Sequence, residues 1–285
     1  MRDITAIIPT KDEELNIRRC IESIRELAAR IIVVDSGSKD RTAEIAEEMG
    51  VEVVFHAFEY SAKQWNWAFD NCDLRTGWVL RIDADEAFTP ELCLEVEKAI
   101  DCHGKDDVNG FWVSADYFFL GKKLHGRKKK KLIIFKTGMA RMEDRRRDAH
   151  MILSEGRAIE LKNAFEHHDF KDLDTFVKRY NWYATREAQD YVDYAVRGKQ
   201  DAALSDKKNQ SKRNKKFGVY YKAKPFHRAL LFFIYNYYLR GGWRDGKEGM
   251  IYHVLSSFWY RFLVDAKIYE YMEKGKEFDE LKAIE

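Results

Sequence analysis

The feature that most constrains this fold is residues 78–86, WVLRIDADE, where an apolar run ends on carboxylates. Residues 78–82 are predicted to form a buried strand, and Asp83, Asp85 and Glu86 follow it directly. Carboxylates at such a place are costly unless a cation meets them, so we expect the chain to leave the sheet in a loop. Open α/β sheets bind ligands at the carboxyl ends of their strands. The alternative is a loop whose acids only cap the next helix.

Strand and helix patterns alternate over the first hundred residues. Short apolar runs predict strands at 4–8, 31–34, 51–55 and 78–82. Helical patterns are found at 15–27, 42–49, 62–72 and, opened by a proline, 90–100. Such alternation predicts a parallel sheet in a doubly wound, nucleotide-binding half.

After Gly104 the pattern changes. Residues 111–117 and 132–135 are predicted to pair across a Gly- and Lys-rich turn at 121–131. Helices are predicted from Leu173 to about Arg197, over 226–239, and from Gly249. The fold class is therefore α/β, a mixed sheet flanked by helices. The expected divisions are a domain 1–198 with halves 1–100 and 101–198, a polar basic linker 199–224, and a helical, aromatic-rich C-terminal extension 225–285.

Composition narrows the protein class. The chain has 285 residues, 34% charged and 14% aromatic with three prolines, which excludes a disordered or Pro-rich protein. The four cysteines lack close spacing and no signal peptide precedes the first strand, so we expect reduced thiols and a cytoplasmic protein. No apolar run approaches the ~20 residues that span a bilayer, and any membrane contact is expected to be peripheral.

Three ordered motifs resemble family 2 glycosyltransferases: IIPTKDEE at 7–14, VVDSGSKDRT at 33–42 and RIDADE at 81–86. Looser likenesses, to the subgroup that adds sugars to lipopolysaccharide core or similar surface glycans, lie at Gln64, Asn66, His150, 179–188 and 241–249. The resemblance covers most of the chain. It implies the GT-A fold, which is Rossmann-like, and an inverting transfer of a hexose from a nucleoside diphosphate sugar.

The resemblance also implies roles for residues of these motifs. It assigns to the nucleotide-sugar site Pro9, Thr10, Glu13, Asp35, Gly37, Lys63, Asn66, Asp83 and Ala84. It makes Asp85 the ligand of a divalent metal, Mg or Mn, that holds the diphosphate. A carboxylate at the end of a strand can accept hydrogen bonds from a base or ribose, which agrees with the role of Asp35. Ser38 and Asp40 are equally well explained as a turn and a helix cap.

The general base is the least determined part of the site. Inverting transfer requires a base that takes the proton of the acceptor hydroxyl. Where the subgroup commonly has His-Glu, this chain has His150-Met151, so the expected carboxylate is missing. The substitutes considered are Asp148, His150, Glu155 and Asp116. The adjacent residues 167–169, His-His-Asp, are expected to be structural or to support ligands, because neighbouring residues seldom converge on one ion.

Several expectations concern partners. The resemblance makes a UDP-sugar the expected donor, with glucose as the hexose, and a lipid-linked or lipopolysaccharide-type glycan the expected acceptor. The basic cluster 207–228 precedes an aromatic-rich helix, which suits an anionic membrane surface at the inner face of the cytoplasmic membrane. Packing of these aromatics onto the core or a second subunit, in a homo-oligomer, is the competing explanation. No nucleic-acid motif is present.

Two alternative functions remain at this stage. A non-catalytic nucleotide- or glycan-binding GT-A protein would explain the missing carboxylate at Met151. A sugar nucleotidyltransferase would share the metal carboxylates, but residues 9–14 offer acids where a Gly-rich phosphate loop is needed.

Overall fold

The computed structural model describes residues 2–103, 106–143, 149–168, 172–192, 218 and 220–274. The chain divides into two compact units, of which unit 1 comprises Met1–Phe118 and Arg127–Asp169 and unit 2 comprises Phe119–Gly126 and Phe170–Glu285. This division differs from the predicted boundary at residue 198, because the helix that follows residue 172 belongs to unit 2. Most of the predicted linker, 199–217, lies outside the described residues.

Unit 1 is built on a mixed sheet of eight strands in the order β3-β2-β1-β4-β7-β6-β10-β5, and a separate pair, β8-β9. The strands are β1 Arg2–Thr10, β2 Ala28–Asp35, β3 Glu52–Phe55, β4 Trp78–Arg81, β5 Glu86–Ala87, β6 Val108–Phe119, β7 Lys122–Lys136, β8 Ala140–Met142, β9 Met151–Leu153 and β10 Arg157–His167. The first four strands are parallel, β7 is antiparallel to β4, and β10 is parallel to β6. The predicted α/β class with a mixed sheet is confirmed.

Helices cover both faces of this sheet. They are α1 Ile17–Ile24, α2 Thr42–Glu48, α3 Ser61–Asn71 and α4 Pro90–His103. Along β1, Ile4 and Ile8 join a core cluster with residues of α1 and α4, while Ile7 joins a second cluster with Trp65 of α3. Because alternate residues of a strand face opposite sides, a strand buried on both faces is largely apolar on both, as Ile4, Ile7 and Ile8 show here, with the buried Thr5 as an exception.

The predicted turn at 121–131 is wrong. Strands β6 and β7 continue to Phe119 and from Lys122, and the turn is only Leu120-Gly121. Both turn residues have positive φ, 48° and 78°, as a two-residue type I′ hairpin turn requires. The lysines that suggested a turn extend the strand instead, and one of them, Lys130, pairs with Glu160 of β10.

Unit 2 is helical over its described residues apart from the hairpin tip. Its elements are α5 Leu173–Tyr191, α6 His227–Ile234 with a π-helical turn Tyr235–Leu239, a 3₁₀ turn Gly242–Asp245, α7 Gly246–His253 with a π-helical continuation Val254–Trp259, and α8 Tyr260–Lys274. The helical C-terminal region is confirmed, although its last helix pair begins at Gly246 rather than the predicted Gly249. The predicted end of α5 at Arg197 lies outside the described residues.

Two polar centres lie inside unit 2. The guanidinium of Arg228, 4% exposed, pairs with Asp265, 2% exposed. Glu187 of α5 accepts hydrogen bonds from Tyr221, at 3.0 Å, and Arg261, at 2.8 Å. Among the described helices none is long and apolar enough to cross a membrane.

Candidate active site

A cavity of about 190 Å³ lies where β1 and β4 end. It is lined by Pro9, Thr10, Lys11, Glu13, Ser36, Phe58, Ser61, Gln64, Trp65, Asp83, Ala84 and Asp85. The strand order places β1 between β2 and β4, so the chain crosses over to opposite sides of β1. Ligands of doubly wound sheets bind at such a switch point. Five residues predicted for the nucleotide-sugar site and the predicted metal ligand therefore share one cavity.

The loops after β1 and β2 are hydrogen-bonded to each other. The Asp12 amide donates to Ser38 Oγ at 2.9 Å, and the Lys39 amide donates to Asp12 Oδ1 at 2.7 Å. Asp40 accepts from the Glu14 amide at 3.1 Å and from the Thr42 amide at 3.0 Å. Ser38 and Asp40 thus have the turn and cap roles considered from the sequence, and they fix the cavity wall that carries Glu13.

Asp35 is oriented toward its own loop. Its Oδ2 accepts from the amides of Gly37 at 2.8 Å and Ser38 at 3.0 Å. Gly37 has φ +82°, which favours glycine, so this turn depends on it. Neither Asp35 nor Gly37 lines the cavity, whereas Ser36 between them does. Their roles in nucleotide binding stay predictions.

Asp83 and Glu86 share a lysine. Lys131 Nζ lies 2.8 Å from Asp83 Oδ2 and also contacts Glu86 Oε1. The other Glu86 oxygen accepts from the Asp83 amide at 3.1 Å. Burial opposes the charge of Asp83, but Lys131 and Arg81 outweigh it and hold the pKa of Asp83 well below its usual range. The carboxylate is therefore ionised at neutral pH.

His167, at the end of β10, completes a group of metal-ligating side chains. One ligand atom each of Asp85, Glu86 and His167 lies within 4.8 Å of the others. His167 Nδ1 is 3.6 Å from Asp85 Oδ1 and 3.4 Å from Glu86 Oε1. The backbone holds this arrangement, because His167 pairs in register with Glu86 across β10 and β5, and the His168 amide donates to the Asp85 carbonyl at 2.9 Å.

These residues fit a divalent metal unequally. Glu86 is 1% exposed and both its oxygens already accept hydrogen bonds, so it is poorly suited to binding an ion. Asp85 lines the cavity, and its side chain is 15% exposed. The carboxylate oxygen of Asp85 suits Mg or Mn, whereas an imidazole nitrogen is a ligand for transition metals, so the pair favours Mn over Mg. Sequence reasoning assigned no metal role to His167. Strand alternation places its ring beside Asp85, whereas His168 next to it stacks on Phe118 at 4.4 Å.

Helix α3 supplies the opposite wall, through a residue that the site prediction omitted. Gln64 is 2% exposed and lines the cavity. Its Nε2 donates to Ser36 Oγ at 3.1 Å, and its Oε1 lies 2.7 Å from His56 Nδ1. The resemblance to the surface-glycan subgroup had included Gln64, but only Asn66 was assigned to the nucleotide-sugar site. The two residues lie two positions apart in α3 and therefore project from different faces of the helix.

Asn66 and Lys63 do not line the cavity, contrary to expectation. Both ends of the Asn66 amide bind the backbone of Met142, with the side chain donating to its carbonyl and accepting from its amide, each at 3.0 Å. Asn66 therefore attaches β8 to α3. Lys63 is half-exposed and pairs with Glu59 at 2.6 Å. Both side chains are committed to structural contacts because they project from other faces of the helix than Gln64 does.

The base candidates fall in different places. Glu155 precedes β10, whose first residue Arg157 pairs with Val108 at the amino end of β6, whereas His167 pairs with Tyr117 at the other end. The two ends of β10 are roughly 30 Å apart at ~3.3 Å per residue, so the structure places Glu155 away from the metal-ligating group. Asp116 is paired in register with Glu166, next to the pairing of Tyr117 with His167. It lies near the end of β6 that is close to the metal-ligating group.

His150 lies beside the small sheet. Its Nδ1 is 3.7 Å from the carboxylate of Glu143, whose side chain is 6% exposed. Met151, where the resemblance led us to expect a carboxylate, is buried in the cluster with Trp65. Asp148 lies outside the described residues.

Comparison with known proteins agrees with these motifs. Residues 5–169, more than half of the chain, match the family model described as Glycosyl transferase family 2. A Rhizobium meliloti protein named lipopolysaccharide core biosynthesis glycosyltransferase LpsC is 25% identical over 280 residues, 94% of this chain and 92% of that protein.

Other similarities are more local. A Rickettsia felis protein named uncharacterized glycosyltransferase is 38% identical over 106 residues, and that match spans only 37% of each chain. A solved structure of glucosyl-3-phosphoglycerate synthase from Mycobacterium tuberculosis, in complex with Mn²⁺, UDP and glucosyl-3-phosphoglycerate, is 23% identical. It matches 41% of this chain and 44% of its own, with a TM-score of 0.33.

Proposed function

This chain belongs to glycosyl transferase family 2, and on that premise we propose that it transfers a hexose, with inversion, from a nucleoside diphosphate sugar to a lipid-linked or lipopolysaccharide-type glycan. The observation that carries the proposal is the cavity in which Thr10 and Glu13 meet Asp83 and Asp85 at the carboxyl edge of a doubly wound sheet. The similarity to LpsC along most of the chain supports the acceptor class.

The nucleotide would bind along the β1 side of the cavity. Thr10 Oγ1 is buried and has no hydrogen-bond partner among the described residues, so it is available to a ligand. Phe58, 49% exposed on the cavity wall, offers a face on which a base can stack. Lys11 would meet phosphate charge from the same loop. A UDP-sugar is the donor we propose, with glucose as the hexose.

Asp85 and His167 would hold a divalent cation, Mg or Mn, beside the diphosphate. Such an ion offsets the negative charge that gathers on the departing nucleoside diphosphate. Lys131 contributes separately, because it keeps Asp83 ionised and in place to accept hydrogen bonds from the sugar or ribose. Glu86, whose Oε1 lies 3.4 Å from His167 Nδ1, would add negative charge that favours a cation there.

We assign the general base to Asp116 and keep His150 as the alternative. Asp116 follows Trp112 by four residues in β6, so both project from the sheet face that α3 covers, the side on which Gln64 and Trp65 line the cavity. A carboxylate there would accept the proton of an acceptor hydroxyl. His150, with Glu143 beside it, would act as a histidine–carboxylate pair.

The enzyme would work in the cytoplasm, at the inner face of the cytoplasmic membrane, where lipid-linked acceptors are found. The burial of Met151 favours one other candidate, a family member that binds nucleotide or glycan without turnover. Residues 9–14 contain no glycine and offer acids in place of a phosphate loop, which disfavours a nucleotidyltransferase.

The experiment is a nucleoside diphosphate release assay with Mn²⁺, using UDP-glucose, UDP-galactose, GDP-mannose and dTDP-glucose, with and without truncated lipopolysaccharide core. We expect release from one donor that is accelerated by the acceptor. Binding of a donor without release under any condition would instead establish the non-catalytic alternative.

A further inference from the structure

Helix α6 and the turns after it expose an unusual amount of apolar surface. The described residues include 22 large hydrophobic side chains that are exposed, and ten of them lie between residues 230 and 254. They are Leu230, Leu231, Ile234, Tyr235, Tyr238, Leu239, Trp243, Met250, Ile251 and Val254. Leu231 and Leu239 are 62% and 76% exposed. Contiguous exposed apolar surface of this kind marks an interaction site.

The first six of these residues form one stripe. They occur in adjacent pairs with a repeat of four, at 230/231, 234/235 and 238/239. An α-helix alone, with 3.6 residues per turn, would rotate such pairs gradually away from one face. The wider π-helical turn over Tyr235–Leu239, in which the Arg240 amide donates to the Tyr235 carbonyl, compensates for that rotation.

The opposite side of the same helix is packed. Phe233 lies 6.4 Å from Phe258, and Tyr237 lies 5.9 Å from His253, between ring centroids. Arg228 and Ala229 are buried. The stripe is therefore the outer face of a helix that is already anchored, and its exposure follows from the fold of unit 2.

Exposed cations flank this stripe in the sequence. Between residues 220 and 254 the exposed charged side chains are Lys222, Lys224, Arg240, Arg244 and Lys247. The two carboxylates of that span are engaged elsewhere, since Asp245 is fully buried against His125 and Glu248 lies 3.5 Å from Lys122. An apolar face that contains Tyr and Trp and is bordered by Lys and Arg has the chemistry of a helix in an anionic lipid interface.

We propose that this surface, residues 230–254, docks on an anionic lipid bilayer. A second copy of the chain is the competing occupant, but an isologous contact would place two identical sets of cations, Arg240, Arg244 and Lys247, in one interface, and like charges oppose that pairing. As a means of reaching a lipid-linked acceptor the docking rests on the proposed function. Vesicle binding is measured without donor or acceptor, however, so failure of either proposal is distinguishable from failure of the other.

The test is co-sedimentation of the full chain with vesicles of phosphatidylcholine alone and of phosphatidylcholine with 30% phosphatidylglycerol. We expect binding to the anionic vesicles that weakens with added salt. Leu231→Ser/Leu239→Ser should reduce the bound-to-free ratio by about tenfold, because each leucine loses apolar surface that would enter the lipid. The matched control is Leu94→Ser/Leu173→Ser, which changes exposed leucines of α4 and α5 and should leave binding unchanged.

Arg240→Glu/Arg244→Glu supplies a second variant and should weaken binding to anionic vesicles in low salt. Circular dichroism confirms that each variant is folded. Wild-type protein that stays in the supernatant with anionic vesicles overturns the proposal, as does equal binding by the Leu231/Leu239 variant. Concentration-dependent dimerisation that is lost in that variant, without vesicle binding, would assign the surface to a second copy instead.

Discussion

Lys131 Nζ lies 2.8 Å from Asp83 Oδ2, across 48 residues of sequence. The same nitrogen contacts Glu86, so one lysine of β7 serves two of the three carboxylates that follow β4. The sequence predicted that a cation must compensate the carboxylates after β4, and Lys131 supplies part of that positive charge. Asp85 lines the cavity together with Asp83, and its Oδ1 lies 3.6 Å from His167 Nδ1.

Lys131→Met should destabilise the protein by about 3 kcal/mol, because it leaves Glu86 and Asp83 partly buried without their counter-ion. Chemical denaturation with urea measures this change. Adding Asp83→Asn to the lysine variant should recover part of the loss, since one uncompensated charge is then removed. A loss below about 0.5 kcal/mol, the scale of an exposed ion pair, would contradict the structural role of Lys131.

His167→Ala should weaken Mn²⁺ binding, and Glu86→Gln should weaken it by about tenfold, because a negative charge beside the ion is lost. Electron paramagnetic resonance of free Mn²⁺ reports both affinities without any turnover. His168→Ala is the matched control, because its ring stacks on Phe118 on the other sheet face. Unchanged Mn²⁺ affinity in His167→Ala would remove that residue from the metal site.

Asn66→Ala should cost about 1–3 kcal/mol of stability, because it leaves the amide and carbonyl of Met142 without their partners. Nucleotide affinity should change little, since the side chain does not line the cavity. Urea denaturation and calorimetry on the same preparations separate the two effects, with Lys63→Ala as the neighbouring surface control. If the Asn66→Ala protein instead has wild-type stability but binds nucleotide poorly, Asn66 belongs to the nucleotide-sugar site, as the sequence predicted.

Asp116→Asn should lower kcat by about 100-fold or more while nucleotide binding persists, as expected for loss of a general base. Glu155→Gln should retain full turnover, because Glu155 lies at the far end of β10. His150→Gln tests the alternative base in the same assay. If Asp116→Asn is fully active and His150→Gln is not, the base is the histidine.

The positions where strands end could be predicted from the local sequence pattern. The distant side chains that contact the residues at those ends could not. Runs such as 4–8 and 78–82 are apolar because the strands are buried on both faces, and that signal is present in any short window. Lys131 gives no such signal, since it is the last of four consecutive lysines and only the register of β7 against β4 brings it to Asp83.

The errors have the same origin. The lysine run 128–131 was interpreted as a turn because charge is more common in loops, although exposed lysines extend a strand equally well. His167 and His168 were expected to be structural because adjacent residues seldom converge on one ion, and the metal role proposed for His167 rests on strand alternation, which places only one of them beside Asp85. Asn66 and Gln64 lie two residues apart, so helix geometry gives them different faces and only the structure identifies which one lines the cavity.

The most direct test of the account is calorimetry of UDP, dTDP, GDP and CDP binding, with and without Mn²⁺, to the wild type and Asp85→Asn. Asp107→Asn is the matched control, since that aspartate pairs with Arg157 at the amino end of β6. The account predicts that one diphosphate binds the wild type and the control in a Mn²⁺-dependent manner, and that Asp85→Asn loses this dependence while remaining folded. Equal Mn²⁺-dependent binding by Asp85→Asn, or no binding of any diphosphate to the wild type, would contradict it.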